Sequence, residues 1–299
     1  MYTRAVTQQP LSIVFCGTPE FAVPSLTALL ERPKDFRLSL VITQPDQPVG
    51  RKQALTPPPV KVYAEAHRLP LLQPDDINDA ATHSRISALG CDVLVTVAYG
   101  QILSPALLLL PRLGGVNVHP SLLPKWRGAA PIQNAILASD SETGVTVQQM
   151  VQALDAGPIL AQERMALSPE ETQEHLSVLL SAMGAKLLAD TLTKPFSPVP
   201  QDETHVTFCR KLSRKDGEVN PAEMSAEEIH RRVRALSPWP GITAPFGGTR
   251  VKILATSLVA EPEALEVPCK DGRPLFVLSL QPQGRKPMSG KAWLRGHNK

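Results

Sequence analysis

Asn117 and His119 stand two residues apart in the run Gly115-Val-Asn-Val-His119. In a strand, side-chain direction repeats every second residue, so an amide and an imidazole share one face while Val116 and Val118 face the other. The run stops at Pro120, which puts His119 at a carboxyl end, where open α/β sheets carry their sites. That pair suits acyl transfer. An amide N–H can hold a carbonyl oxygen as it becomes an oxyanion. An imidazole can stabilise the same charge or move the proton of an attacking amine. Taken alone, a polar pair at a strand end is more often structural than catalytic.

Asp155 is the third candidate, in Gln152-Ala-Leu-Asp155-Ala-Gly157-Pro. A carboxylate against His119 would fix the ring's tautomer and favour its charged form; an aspartate before a turn glycine is also ordinary turn chemistry. Two loops frame the trio. Ser121-Leu-Leu-Pro124-Lys-Trp-Arg-Gly128 combines an apolar patch, cations and an aromatic, and could wall a ring-shaped ligand. Residues 44–59 form a connection longer than most in α/β domains, the kind of loop that is functional or disordered. Arg51 and Lys52 at its tip could meet phosphates.

The elements needed to hold these residues are legible. Residues 11–16 (LSIVFC) and 93–98 read as strands buried on both faces, and 38–43 and 115–119 as further strands. Apolar residues at helical spacing predict helices after the first strand and over residues 60–68, 78–89, 130–139 and 171–192. This alternation predicts a Rossmann-like, doubly wound, mostly parallel sheet over residues 1–193. Gly17-Thr-Pro-Glu20 is not a G-x-G-x-x-G turn, so NAD is not expected. Residues 194–220 open on a Pro-rich stretch without periodicity and read as a linker. Within 221–299, a helix at 225–236 capped by Ser225 precedes alternating segments at 250–255 and 274–280. They predict a small all-β domain.

Charge is unevenly spread. Residues 201–299 hold 16 Lys and Arg against 11 Asp and Glu; the rest holds 15 against 17. From Lys270 on there are seven basic residues, Arg285 and Lys286 among them, and one acid. Such a half points toward a polyanionic partner, although a solvated basic face is the commoner meaning. The four cysteines have no C-x-x-C pair, so reduced thiols are expected and no metal cluster is. The opening MYTRAVTQQP lacks a signal-peptide apolar run, and no stretch approaches about 20 apolar residues. A cytoplasmic monomer without membrane association is the expectation.

Asn117-Val-His119-Pro-Ser-Leu-Leu-Pro124, with Asp155 downstream, resembles the formyltransferases that use 10-formyltetrahydrofolate. Lys125-Trp-Arg-Gly-Ala-Ala-Pro-Ile-Gln133, the Gln44-Pro-Asp loop, Phe15-Cys-Gly-Thr-Pro-Glu20, Val97-Ala-Tyr-Gly100 and Glu142-Thr-Gly-Val-Thr146 narrow the likeness to the methionyl-tRNA formyltransferase family. It covers nearly the whole chain from Leu11. It implies formylation of the α-amine of methionine on initiator tRNA, with tetrahydrofolate as by-product and no metal. Asn117 and His119 would hold the oxyanion, and Asp155 would keep His119 charged. Val97, Ala98, Tyr99 and Gly100, with Ser121, Leu122, Leu123 and Pro124, would line the folate pocket. Arg51 and Lys52 would meet the acceptor stem. An OB-like β-barrel, bearing Arg285 and Lys286, would grip phosphates.

The sequence departs from that pattern near Asn220–Pro221, where a tryptophan is often found, and over residues 257–268, where a strand pair usual in the family is missing. The barrel is therefore expected to be shortened. Acceptors such as a sugar-nucleotide amine or glycinamide ribotide would use the same three central residues, but need neither the Arg51 loop nor a basic C-terminal half. A catalytically silent RNA-binding protein on the same scaffold would not need the three residues at all.

Overall fold

A computed structural model describes residues 9–50, 53–246 and 248–297. The chain divides into two compact units. The first takes the described chain up to Gly128, Glu142–Met165 and Ser177–Phe208; the second takes Ala129–Ser141, Ala166–Leu176 and the chain from Cys209 onward.

In the first unit, β1 (Leu11–Gly17) is buried at every residue, as a strand covered on both faces must be. The chain continues through α1 (Val23–Leu30), β2 (Phe36–Ile42), β3 (Gln47–Val49), β4 (Ala54–Thr56), α2 (Pro59–Ala66), β5 (Leu71–Leu72), α3 (Ala80–Leu89), β6 (Val93–Val97), α4 (Pro105–Leu108), β7 (Gly115–His119) and β8 (Arg127–Gly128). β9 (Glu142–Gln149), β10 (Ile159–Ala166) and α6 (Gln173–Leu192) follow. The sheet order is β10-β9-β7-β6-β1-β2-β5, with β5, β2, β1, β6 and β7 all parallel. β9 then pairs antiparallel with β7, setting Asn117 opposite Gln148 and His119 opposite Thr146. The chain winds outward from β1 through β2 to β5, then returns to β1's other edge at β6. The carboxyl ends of β1 and β6 thus flank the switch point where such sheets bind ligands. An apolar cluster of Val14, Cys16, Leu40, Ile42, Leu94 and Leu107 supports them from below.

Helix ends follow local chemistry. Asp79 caps α3 by accepting from Thr82 N at 2.6 Å, and Gly90 ends it in the left-handed conformation. The helix therefore begins at Ala80, with the cap just outside it. Several elements are absent from the sequence reading: besides the short β5 and α4, the long 44–59 connection contains an antiparallel hairpin, with Gln47 opposite Thr56 and Val49 opposite Ala54. Its strands are three residues each and exposed throughout, so no hydrophobic alternation announces them. Arg51 and Lys52 lie outside the described residues.

In the second unit, α5 (Pro131–Leu137) lies against α7 (Ala226–Leu236), whose Ser225 cap accepts from Glu228 N at 3.1 Å. After β11 (Phe208–Cys209) come β12 (Ile242–Phe246), β13 (Thr249–Ser257), β14 (Leu265–Pro268), β15 (Pro274–Pro282), β16 (Met288–Ser289) and α8 (Gly290–His297). Antiparallel pairing runs β12-β13-β15-β14, with β16 also on β15, so the C-terminal region is an antiparallel β unit. β14 has only four residues, and a turn at Cys269–Gly272 returns it directly to β15. Among the described residues no helix is long and apolar enough to cross a membrane.

Candidate active site

Asn117 sits on β7 beside Thr96 of β6, its register partner. The Thr96 hydroxyl donates to Asn117 Oδ1 at 2.9 Å. With its oxygen engaged, the amide must turn its N–H2 the other way, and Nδ2 lies 3.5 Å from Asp155 Oδ1. The amide is thus oriented as a donor toward the carboxylate side of the site.

His119 is 4% exposed at the strand's end. Its Nε2 lies 2.9 Å from the carbonyl oxygen of Trp126, an acceptor only, so Nε2 carries hydrogen and donates. Nδ1 consequently faces Asp155 Oδ2 at 3.7 Å, within ion-pair range but beyond a direct hydrogen bond. A ring between a carbonyl and a carboxylate is oriented from both sides, which an acid–base group requires.

Asp155 adopts φ 49°, a left-handed conformation that aspartate tolerates better than most residues. Such backbone costs about 1 kcal/mol or more and persists where its surroundings fix it. Here they do. Oδ2 accepts from Gly128 N at 2.9 Å, and Oδ1 accepts from Gln148 Nε2 at 3.0 Å. Two residues on, Gly157 is packed so closely that an added Cβ would lie 1.7 Å from the carbonyl oxygen of Gln149. Asn117, His119 and Asp155 are therefore brought together by the end of β7 and one turn; strand spacing predicts the first two on one face, while for Asp155 the sequence only permits the meeting.

The two stretches expected to face the folate divide by burial. Val97 and Tyr99 are buried, whereas Ala98 (φ 47°) and Gly100 (φ 92°) are exposed, with the Tyr99 carbonyl between them accepting from Thr18 and Gln44. Burial pushes the Tyr99 phenol well above its ordinary range. Beyond β7, Ser121 and Leu123 are buried, while Leu122 and Pro124 are partly accessible. Thr146 Oγ1 donates to Ser121 O at 2.7 Å and accepts from Leu123 N at 3.1 Å, clamping that loop. A backbone edge at Ala98 and Gly100 and an apolar wall at Leu122 and Pro124 offer polar and apolar surface for a flat heterocycle.

Arg285 and Lys286 are exposed at the turn between β15 and β16 in the second unit. Among the described residues no group of three or more His, Cys, Asp or Glu could hold a metal ion.

Four residues at the site escaped sequence reading, Thr96, Gln148, Gln201 and Glu203, and so did the buried role of Arg127 within its loop. Thr96 is the one polar residue in the apolar strand VLVTV, a detectable signal. Arg127 is buried, its guanidinium bonded to Gln201 Oε1 at 2.8 Å and Glu203 Oε1 at 2.7 Å. Those partners lie more than 70 positions away, and only folding brings them near.

A formyl transferase family model matches residues 11–192, and a second, for the formyl transferase C-terminal domain, matches residues 211–298. Methionyl-tRNA formyltransferase of Halorhodospira halophila is 44% identical, over 95% of this chain and 96% of its own length. The enzyme of that name from Halalkalibacterium halodurans is 41% identical, over 96% and 95%. Among solved structures, an N-formyltransferase from Helicobacter canadensis, in complex with folinic acid and dTDP-3-aminofucose, superposes with a TM-score of 0.63. At 18% identity, covering 89% of this chain and 98% of that one, it speaks for the fold alone. With both halves matched and more than two-fifths of residues shared with full-length relatives, the chain belongs to the formyl transferase family, on its methionyl-tRNA formyltransferase branch.

Proposed function

We propose that this protein transfers a formyl group from 10-formyltetrahydrofolate to the α-amino group of methionyl initiator tRNA, in the cytoplasm, at the start of protein synthesis. The single observation that carries the acceptor is full-length: relatives bearing that name match through both units, including the basic C-terminal half. Sugar-amine formyltransferases share the fold at much lower identity, which says nothing of acceptor.

The folate co-substrate supplies the formyl carbon. The methionyl amine forms the new C–N bond to it, the bond from that carbon to the folate nitrogen breaks, and tetrahydrofolate leaves with the proton the amine gives up. This chain binds and orients the reactants and moves that proton. Asn117 Nδ2, turned outward by Thr96, donates to the carbonyl oxygen as it gains charge. His119, oriented between Trp126 and Asp155, stabilises the same charge and receives or passes on the amine's proton. Asp155 Oδ2, 3.7 Å from His119 Nδ1, holds the ring in place. Ala98, Gly100, Leu122 and Pro124 position the pterin, with Val97, Tyr99, Ser121 and Leu123 shaping the wall behind them. Arg285 and Lys286 are assigned to phosphates of the tRNA, as are Arg51 and Lys52.

The test is an acceptor assay. Purified protein with 10-formyltetrahydrofolate should formylate methionyl initiator tRNA. Asn117→Ala and Asp155→Ala should each cut turnover by about 10²- to 10³-fold while tRNA binding persists. Formylation of a sugar-nucleotide amine, with the aminoacyl-tRNA untouched, would sink this reading.

A further inference from the structure

Residues 193–210 fall between the two family-model matches. Composition marks this stretch as a linker, yet part of it, residues 199–207, is bonded into the first unit along both walls of the site. Val199 and Ile159 exchange backbone hydrogen bonds at 2.8 and 2.9 Å, next to the Asp155 turn. At the other end, Thr207 Oγ1 accepts from Trp126 N at 2.8 Å and Thr207 O accepts from Arg127 N at 2.9 Å. Trp126 is the residue whose carbonyl orients His119.

Gln201 lies between these anchors and is buried. Its carbonyl oxygen accepts from Arg127 Nε at 3.0 Å and Nη2 at 2.8 Å. Arginine offers donors only, so the orientation of the Gln201 amide is dictated. Its nitrogen must face away from Arg127, and there it donates to the backbone carbonyls of Asp155 at 2.8 Å and Gly157 at 2.7 Å. It also lies 3.4 Å from Gln148 Oε1. Its two hydrogens are taken by those carbonyls; Gln148 separately turns its own N–H2 toward Asp155 Oδ1 at 3.0 Å. The chain of orientation runs from Arg127 through Gln201 to the backbone of the turn that carries Asp155. Glu203 secures its start, and the Arg127 guanidinium holds the Glu203 carboxyl below the usual carboxylate range.

We propose that Gln201 is a positioning residue for formyl transfer: its amide fixes the backbone of the turn that carries Asp155. The inference rests on the formyl-transfer reading above and extends it to a segment that neither family model covers. Gln201 touches no reacting atom; it acts through Asp155.

Gln201→Glu separates this role from simple packing. The replacement keeps the length and can still pair with Arg127. It loses the N–H2 and sets a carboxylate against two carbonyls and Gln148 Oε1. Backbone carbonyls cannot rotate away as an amide can, so the turn carrying Asp155 must shift to relieve the repulsion. Gln201→Met removes the donors without adding charge and guards against a variant that fails to fold.

The measurement is steady-state formylation of methionyl initiator tRNA, scaled to folded protein by circular dichroism. Displacement of a catalytic group by about 1 Å costs about 10²-fold. On that scale, kcat should fall about 10- to 100-fold in Gln201→Glu and less in Gln201→Met, with the KM for tRNA within about twofold of wild type. Turnover per folded molecule within twofold of wild type in both variants would overturn the proposal. So would a loss of tRNA affinity as large as the loss of kcat, because a general structural role moves both. A wild type that formylates no aminoacyl-tRNA fails the parent reading instead, and that outcome is distinct from a working wild type matched by working variants.

Discussion

The site around Asp155 and the β3–β4 hairpin are both turns at the edge of the first unit, and they are built in opposite ways. Each carboxylate oxygen of Asp155 meets a donor, its carbonyl meets another, and the neighbouring Gly157 leaves no room for a methyl group. The hairpin strands are exposed at every residue, with Val49 and Leu55 open to solvent, and the hairpin's base is held through the side chain of Asp46. Stabilising a developing oxyanion demands donors held to within a fraction of an ångström. Meeting the phosphates of an RNA demands charge and reach, and an exposed ribbon offers reach. The Asp155 turn is bonded on every side, and the hairpin strands are open to solvent.

The sharpest way to break this contrast is Gly157→Ala. The added methyl carbon would lie 1.7 Å from a backbone oxygen, which no side-chain rotation relieves, so the turn must move and Asp155 with it. Turnover should fall about 100-fold, with tRNA affinity retained, in the same acceptor assay. Unchanged turnover would mean that the turn's position is not critical and that the comparison is false.

A smaller effect is expected one step from the chemistry. Thr96→Val removes the hydroxyl that fixes Asn117 Oδ1 and leaves the amide free to present oxygen instead of nitrogen. About a tenfold fall in kcat, with substrate KM values little changed, is the expected signature. The result would show that orientation of the amide matters in addition to its presence.

The contrast also explains what could be read in advance. The parallel sheet was legible because LSIVFC and VLVTV are apolar runs, and Asn117 and His119 because strand periodicity puts them on one face. Asp155 was legible as a type in a turn. Gln201 and Arg127 were not, since glutamine in a Pro-rich stretch and arginine in a loop are unremarkable until the chain brings them together across 74 positions. The hairpin was missed for a different reason: three-residue exposed strands bury nothing, so no hydrophobic pattern records them.

The basic turn of the second unit tests the reach half of the contrast. Arg285 and Lys286 are exposed, so Arg285→Ala with Lys286→Ala should leave formylation chemistry intact and weaken tRNA binding several-fold at low salt. The slope of log affinity against log salt should decrease by about one unit per lost phosphate contact. An unchanged slope would return these residues to an ordinary solvated surface.

The mildest effect is expected at the hairpin's base, where the two designs meet. Asp46 accepts from Gln73 at 2.8 Å and from Lys61 at 2.8 and 2.9 Å, and these partners, Gln73 first, hold its carboxyl below the usual range. A depressed carboxyl contributes its anchoring above its ordinary pKa and loses it as pH falls through the lowered value. The hairpin should therefore stay closed through neutral pH and loosen only in acid, below the range where free aspartate titrates. Amide exchange over residues 47–56 should rise there while β1 and β6 stay protected. Asp46→Asn should erase that pH dependence and raise exchange slightly at neutral pH. Turnover should barely change, because the proposed role of the hairpin's anchor is in where the tRNA is met, whereas the proposed role of the Asp155 network is in how the formyl group moves.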